Sequence, residues 1–238
     1  QEYTVQQITS GNSQHWFGYY DKWQIDPSGR YALANKVELF FRSPTPDDTV
    51  QIGLIDLENG NEWKQIGETT AWGWQQGCML QWIPGSEEEV IWNERGPDGF
   101  FGRIYNIRSG KSRKLPMPIY ALSPDGTFAL SIDFARLQIM RPGYGYASLQ
   151  NGDTIEKAPS EDGIYKIDLN NGKTDFIVLL ETLAALEREA GSVSNNYHWC
   201  NHLLVSPSGN RFIFLNRSRP HLLDDENAKN RNSRYVTR

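Results

Sequence analysis

Residues 15–22 read HWFGYYDK: four aromatic rings, a histidine, an aspartate and a lysine in eight positions. A core strand has no use for the charges, and a surface loop has none for the rings. A site that stacks on a ligand and grips its charge uses both. Comparable mixtures recur at 72–76 (WGWQQ) and 198–202 (HWCNH), and Arg42, Arg95, Arg136, Arg217 and Arg219 follow short apolar runs. Rings that take the CH faces of a sugar, beside guanidinium and ammonium groups that pair with carboxylates, suit an anionic carbohydrate. The candidate ligand-binding residues are His15, Tyr20, Lys22, Trp74, Gln76, Arg95, Arg136 and His198.

Each of these also has a purely structural use. His15 could bond a backbone carbonyl. Trp72 and Trp74 could pack between sheets, and Arg42, Arg95 and Arg217 could tie neighbouring sheets together. Cys78 and Cys200 belong to no CxxC pair. They read as small buried fillers with free thiols, with a disulfide as the alternative. Asp21 and Asp133 could form a carboxylate pair of the glycosidase kind, although aspartate in a loop is more often a turn residue. No GxSxG elbow, HExxH, P-loop or GxGxxG after a strand is present, so those chemistries lack their motifs.

The chain has 238 residues, 24 basic and 29 acidic, for a net charge of -5. That balance argues against nucleic-acid or membrane-surface partners, which need a concentrated positive field. No stretch of about 18 apolar residues is present to span a bilayer. The chain opens on Gln-Glu rather than Met. The expectation is a bacterial protein that is secreted or periplasmic and has lost a leader.

The elements that must position these residues announce themselves by turns. IDPSG (25–29), WIPGS (82–86), LSPDG (122–126) and VSPSG (205–209) each lie between two short apolar segments. Proline presets the first turn position and Gly or Asp completes the bend. Alternating with them are GLIDLENGNEWKQI (53–66), RIYNIRSGKSRKL (103–115) and IYKIDLNNGKTDFIV (164–178). In each, Asn-Gly or Ser-Gly joins two alternating segments, a strong hairpin cue. Two hairpins in succession make a four-stranded antiparallel meander.

Such units span 15–66, 71–115 and 117–179, and a fourth, incomplete one covers 195–238. Repeats of about 40–50 residues of this kind indicate an all-β fold, a β-propeller of four-stranded antiparallel blades. A two-sheet sandwich is the competing architecture. The chain reads as one partial propeller domain, about three and a half blades of a ring near seven. Its expected partners are the remaining blades of a longer chain or, failing that, a second copy. Residues 136–162, rich in Gly, Pro and Tyr, read as an extended loop inside the third blade, and 180–190 as a short helix. Antiparallel geometry puts the start of each inner strand and the end of the second on one mouth. That mouth gathers the unusual residues quoted above.

With the blades laid out, the chain resembles the oligogalacturonate lyase family of propellers. His15, Tyr20 and Lys22 ahead of DPSG match the opening of that family's first blade, and His202 in CNHLLVSPSG matches a later inner strand. The chain is also similar to secreted bacterial propellers sharing HWFGYYDK and WGWQQGCMLQW. The resemblance implies β-elimination on acidic, pectic oligosaccharides and a Mn-type divalent ion held by histidines of later blades, with no metal ligand carried onto this stretch. A base beside the uronate carboxylate and a cation for the enolate-like charge would be needed. His202 and Arg217 are the candidates for those catalytic roles. The alternative is a non-catalytic module binding a protein or glycan, like the periplasmic Tol-Pal propellers.

Overall fold

The computed structural model describes residues 3–38, 41–147, 155–186, 195–222 and 236–237. The first sheet contains β1 (Gln14–Trp16), β2 (Tyr31–Val37), β3 (Val50–Asp56) and β4 (Glu62–Thr69), in that spatial order. The second repeats the plan with β5 (Gln81–Trp82), β6 (Glu89–Gly96), β7 (Gly99–Asn106) and β8 (Ser112–Lys114). In the third, β9 (Ala121–Leu122) and β10 (Phe128–Ser131) precede an insertion, followed by β11 (Gly163–Asp168) and β12 (Thr174–Leu179). The fourth has β13 (Tyr197–Val205), β14 (Phe212–Arg219) and β15 (Val236–Thr237). Every pairing is antiparallel between neighbours in sequence. The chain is a succession of meander blades, and the fold is a β-propeller.

The four inner hairpins close alike. The amide of Gly29 donates to the Asp26 carbonyl at 2.9 Å, Gly126 to Ser123 at 3.0 Å, Gly209 to Ser206 at 2.8 Å, and Ser86 to Ile83 at 3.0 Å. Each turn has proline at its second position, where the preset φ costs nothing. The outer turns are wider. Gly110 donates to the Asn106 carbonyl and Gly172 to the Asp168 carbonyl, both at 2.9 Å. The side chains of Asn106 and Asp168 accept from the next amides.

Apolar faces bind the blades together. Leu33, Ile52 and Leu54 of the first meet Leu80, Trp82, Val90 and Trp92 of the second. Ile91, Ile104, Ile119, Leu130, Ile164, Trp199 and Val205 continue the core through the other two. The inner segments Lys22–Pro27, Gln81–Ser86, Ala121–Leu122 and Leu204–Val205, with Pro124 and Pro207, line one axial cavity of about 900 Å³. No helix among the described residues is long and apolar enough to cross a membrane.

The insertion departs from the expected loop. It begins with α1 (Phe134–Met140), capped by the Asp133 carboxylate, which accepts from the amides of Ala135 at 2.7 Å and Arg136 at 3.1 Å. Phe134, Leu137 and Met140, at helical spacing, are buried. This N-cap satisfies two otherwise orphaned amides and starts the helix. A seven-residue helix gives too short a periodic signal to stand out beside the Gly, Pro and Tyr that follow. Residues 148–154 of the segment lie outside the described residues. The helix expected at 180–190 is α2 (Leu180–Leu186), and 187–190 also lie outside them.

Candidate functional site

The motif at 15–22 turns sharply at Gly18, whose φ is +124°. A Cβ there would meet the Gln76 carbonyl oxygen at 2.9 Å, so only glycine lets the chain pass the second blade. Beyond this point the chain delivers Tyr19, Tyr20, Asp21 and Lys22 to the hub.

Tyr120, fully buried at the entry to β9, is the centre of that hub. Its hydroxyl accepts from Gln76 Nε2 at 2.7 Å and from the His202 backbone amide at 2.9 Å. Lys22 Nζ lies 5.4 Å from the centroid of its ring and 3.1 Å from Asp21 Oδ2. One tyrosine therefore joins groups from all four blades. Burial holds its phenol protonated, pushed up to about 12, with the Gln76 and His202 donors opposing the shift.

His202 completes the arrangement. Its Nδ1 is hydrogen-bonded to the Tyr19 hydroxyl at 2.6 Å, and its ring stands edge-on to Tyr144, 5.8 Å between centroids. Its φ is +53°, where the β13–β14 register slips between Asn201 and Leu204. A non-glycine residue in this region carries strain, which concentrates at functional sites. Burial lowers the imidazole pKa, Arg217, Arg141 and Lys22 lower it further, and Asp21 opposes them. The ring is a neutral base at neutral pH. The Tyr19 phenol is raised, chiefly by burial. Burial also lowers the Lys22 ammonium, with Asp21 opposing.

Two acceptors on this hub, Gln76 Oε1 and Asp21 Oδ1, are buried with no hydrogen-bond partner among the described residues. The hub thus brings together a neutral imidazole, cationic side chains and two oxygen acceptors with no partner among the described residues. Tyr20, 85% exposed and with its ring 4.5 Å from that of Tyr19, forms the rim. The strain at His202 gives a direct expectation. His202→Gly should be more stable than His202→Ala by about 1–2 kcal/mol, because both lose the ring and only glycine tolerates the backbone. Chemical denaturation of the two variants measures the difference.

Of the residues singled out in the sequence, Tyr20, Lys22, Gln76 and His202 gather here, and Arg217 acts on the hub through its charge. The others do not. His15 packs edge-on against Trp63, 5.3 Å between centroids. Trp74 packs edge-on against Trp72 and tilted against Trp16, and donates from Nε1 to the Arg42 carbonyl at 2.7 Å, beside a shallow cleft with Phe41. Arg95 donates to Thr70 Oγ1 at 3.0 Å and to the Ala147 carbonyl, and lies over the Phe100 ring. His198 is fully buried in β13. Asp133 is spent as a cap and Asp21 on Lys22, so they form no dyad. Tyr120, Tyr144 and Arg141 were not among the candidates. The signal for Tyr120 was its place, four residues before Pro124 at the start of an inner strand.

Arg136 is a clamp. Its Nε donates to the His198 carbonyl at 2.7 Å, its Nη2 to the carbonyls of Glu156 and Lys157 at 2.9 Å, and Asp162 Oδ2 lies 3.7 Å away. Burial and the Asp133 charge push the Asp162 carboxyl up to about 6, against the pull of Arg136. The folded state therefore holds this proton more tightly than the unfolded chain. Its stabilising contribution is complete below the ordinary aspartate range and is lost as pH rises through about 6. Melting temperature should fall over that window, and Asp162→Asn should flatten the fall, which thermal melts at pH 4, 5, 6 and 7 would record.

Among the described residues no group of three or more His, Cys, Asp or Glu could hold a metal ion. The hub contributes one imidazole and one lysine-paired carboxylate, a donor set that does not fit a divalent cation. Cys78 and Cys200 are free and buried.

No family model matches the chain, and no curated protein matches it. Among solved structures, TolB from Acinetobacter baumannii aligns with a TM-score of 0.46 and 11% identity, over 97% of this chain and 44% of that one. An oligogalacturonate lyase in complex with manganese aligns at 0.43 and 9% identity, over 97% and 67%. The uncharacterised protein lmo1340 from Listeria monocytogenes EGD-e aligns at 0.37 and 13%, over 84% and 48%. The chain thus spans less than half the length of the TolB it matches. By its own meanders and shared axial cavity it is a β-propeller, with a polar hub where four blades meet.

Proposed function

We propose that the hub binds an acidic oligosaccharide by a uronate ring, and that His202 serves as the base of a β-elimination. The observation that carries this reading is the gathering of a neutral, strained histidine, three cationic side chains and two buried acceptors with no partner among the described residues. Arg217, Arg141 and Lys22 favour a carboxylate. Gln76 and Asp21 accept from ring hydroxyls.

In the tautomer where His202 Nδ1–H donates to the Tyr19 oxygen, Nε2 has the free lone pair. That nitrogen takes the proton beside the carboxylate. The released pair forms a carbon–carbon double bond as the bond to the leaving sugar oxygen breaks. That oxygen departs with its electrons and is protonated from solvent. Arg217 steadies the enolate-like charge. Such a substrate fits an exported or periplasmic protein, as the sequence leads one to expect.

The test is calorimetric titration with short pectic uronides, followed by ultraviolet absorbance of the unsaturated product. Binding should weaken as ionic strength rises past the roughly 0.1 M at which exposed charges are screened. Binding without product would favour the non-catalytic module. Absence of binding at low salt would overturn the uronide reading, catalytic or not.

A further inference from the structure

The hub and the axial cavity are continuous. Asp21 and Lys22 belong to both, and Leu204, two residues beyond His202, lines the cavity wall. At about 900 Å³ the cavity has room for more than the single ring that the hub grips.

Its chemistry differs from that of the hub. Trp23, Ile83, Pro84, Leu122, Leu204 and Pro207 make the wall largely apolar. Among the described residues its charged lining groups are Asp21, Lys22 and Asp26, one cation against two carboxylates. The cation is already engaged, since Lys22 Nζ sits 3.1 Å from Asp21 Oδ2 and 5.4 Å from the centroid of the Tyr120 ring. Asp26 stays ionised. Burial raises its pKa, and its hydrogen bonds more than offset this, the carboxylate accepting from the amides of Tyr31 at 2.6 Å and Ser28 at 3.2 Å. Arg217 and Arg141, whose charges act on His202, do not line this wall. A carboxylate entering the cavity would leave water for an apolar surface, meet no unpaired cation among the described residues and face two like charges. Each of these opposes the burial of an anion.

We propose that the axial cavity is a second subsite for an uncharged sugar unit, a methyl-esterified uronate, so that the ligand carries one free carboxylate at the hub and a neutral neighbour beside it. This specificity rests on the uronate reading of the hub. The CH face of the neutral ring and its ester methyl would pack on Trp23 and Leu204. The hub selects a charged ring, and the cavity rejects a second one.

The test is calorimetric titration with digalacturonate and with each of its two mono-methyl esters. The isomer that places its ester in the cavity should bind about tenfold tighter than the diacid. Leu204→Lys, at a position 48% exposed, puts an ammonium on the wall and should reverse the preference in favour of the diacid. Trp23→Lys, at a position 71% exposed, repeats the reversal from the first blade. If neither ester binds more tightly than the diacid, the inference is overturned and the uronate reading stands. A preference that both lysine variants leave unchanged would also overturn it, since the ester would then be read elsewhere. Failure of all three ligands to bind would overturn the uronate reading itself, and this inference with it.

Discussion

His202→Gln should reduce any elimination of pectic uronides by about 10²–10⁴-fold, the usual worth of a positioned general base. Glutamine keeps a hydrogen-bonding group near the Tyr19 hydroxyl but presents no lone pair of comparable basicity. The loss should therefore appear in kcat, with uronide affinity changing far less. The pH profile adds an independent check. Burial and three cations lower the imidazole pKa, so activity should rise with pH and level off below the ordinary histidine midpoint. His202→Gln should abolish that limb. Single-turnover absorbance across pH measures both, and a variant with wild-type kcat would remove His202 from the chemistry.

Trp92→Ala should cost about 3–5 kcal/mol of stability, as large-to-small changes in a closed core do. The indole is 2% exposed in the core between the first and second blades. Its Nε1 donates to Glu94 at 3.0 Å. The neighbouring blade is shaped around it: a Cβ at Gly67 would lie 2.8 Å from the indole Cζ2. With Gly67 on a paired strand, the cavity has little means of collapsing. Urea unfolding measures the loss. A cost under about 1 kcal/mol would mean that the blades do not depend on this contact.

The blades were legible because their turns are chemical, not merely polar. Pro27, Pro84, Pro124 and Pro207 each fix a hairpin, and the spacing between them counts the blades. Lys22, Gln76 and His202 were legible as a group because antiparallel pairing fixes which strand ends share a mouth. It does not fix radius. His15, Trp74 and Arg95 lie outside the hub, held by Trp63, by Trp16 and Trp72, and by Thr70 and Ala147. Arginine after a second strand could equally grip a ligand or a carbonyl, and Arg136 holds three carbonyls. Tyr120 was hidden by its ordinariness, since a tyrosine before a Pro-Asp-Gly turn resembles any core aromatic.

The Tyr120 junction also bears on how the molecule is made. The hydrogen bond between Tyr19 and His202 spans 183 residues, and that from His202 to Tyr120 spans 82. Each meander can form from local pairing, whereas these contacts must await the docking of all four sheets, after the entropy of closing long loops has been met. The hub is therefore among the last parts to become native. A compound seated there would engage only the finished fold, acting as a late fastener whose occupancy reports correct assembly and raises the melting temperature with concentration.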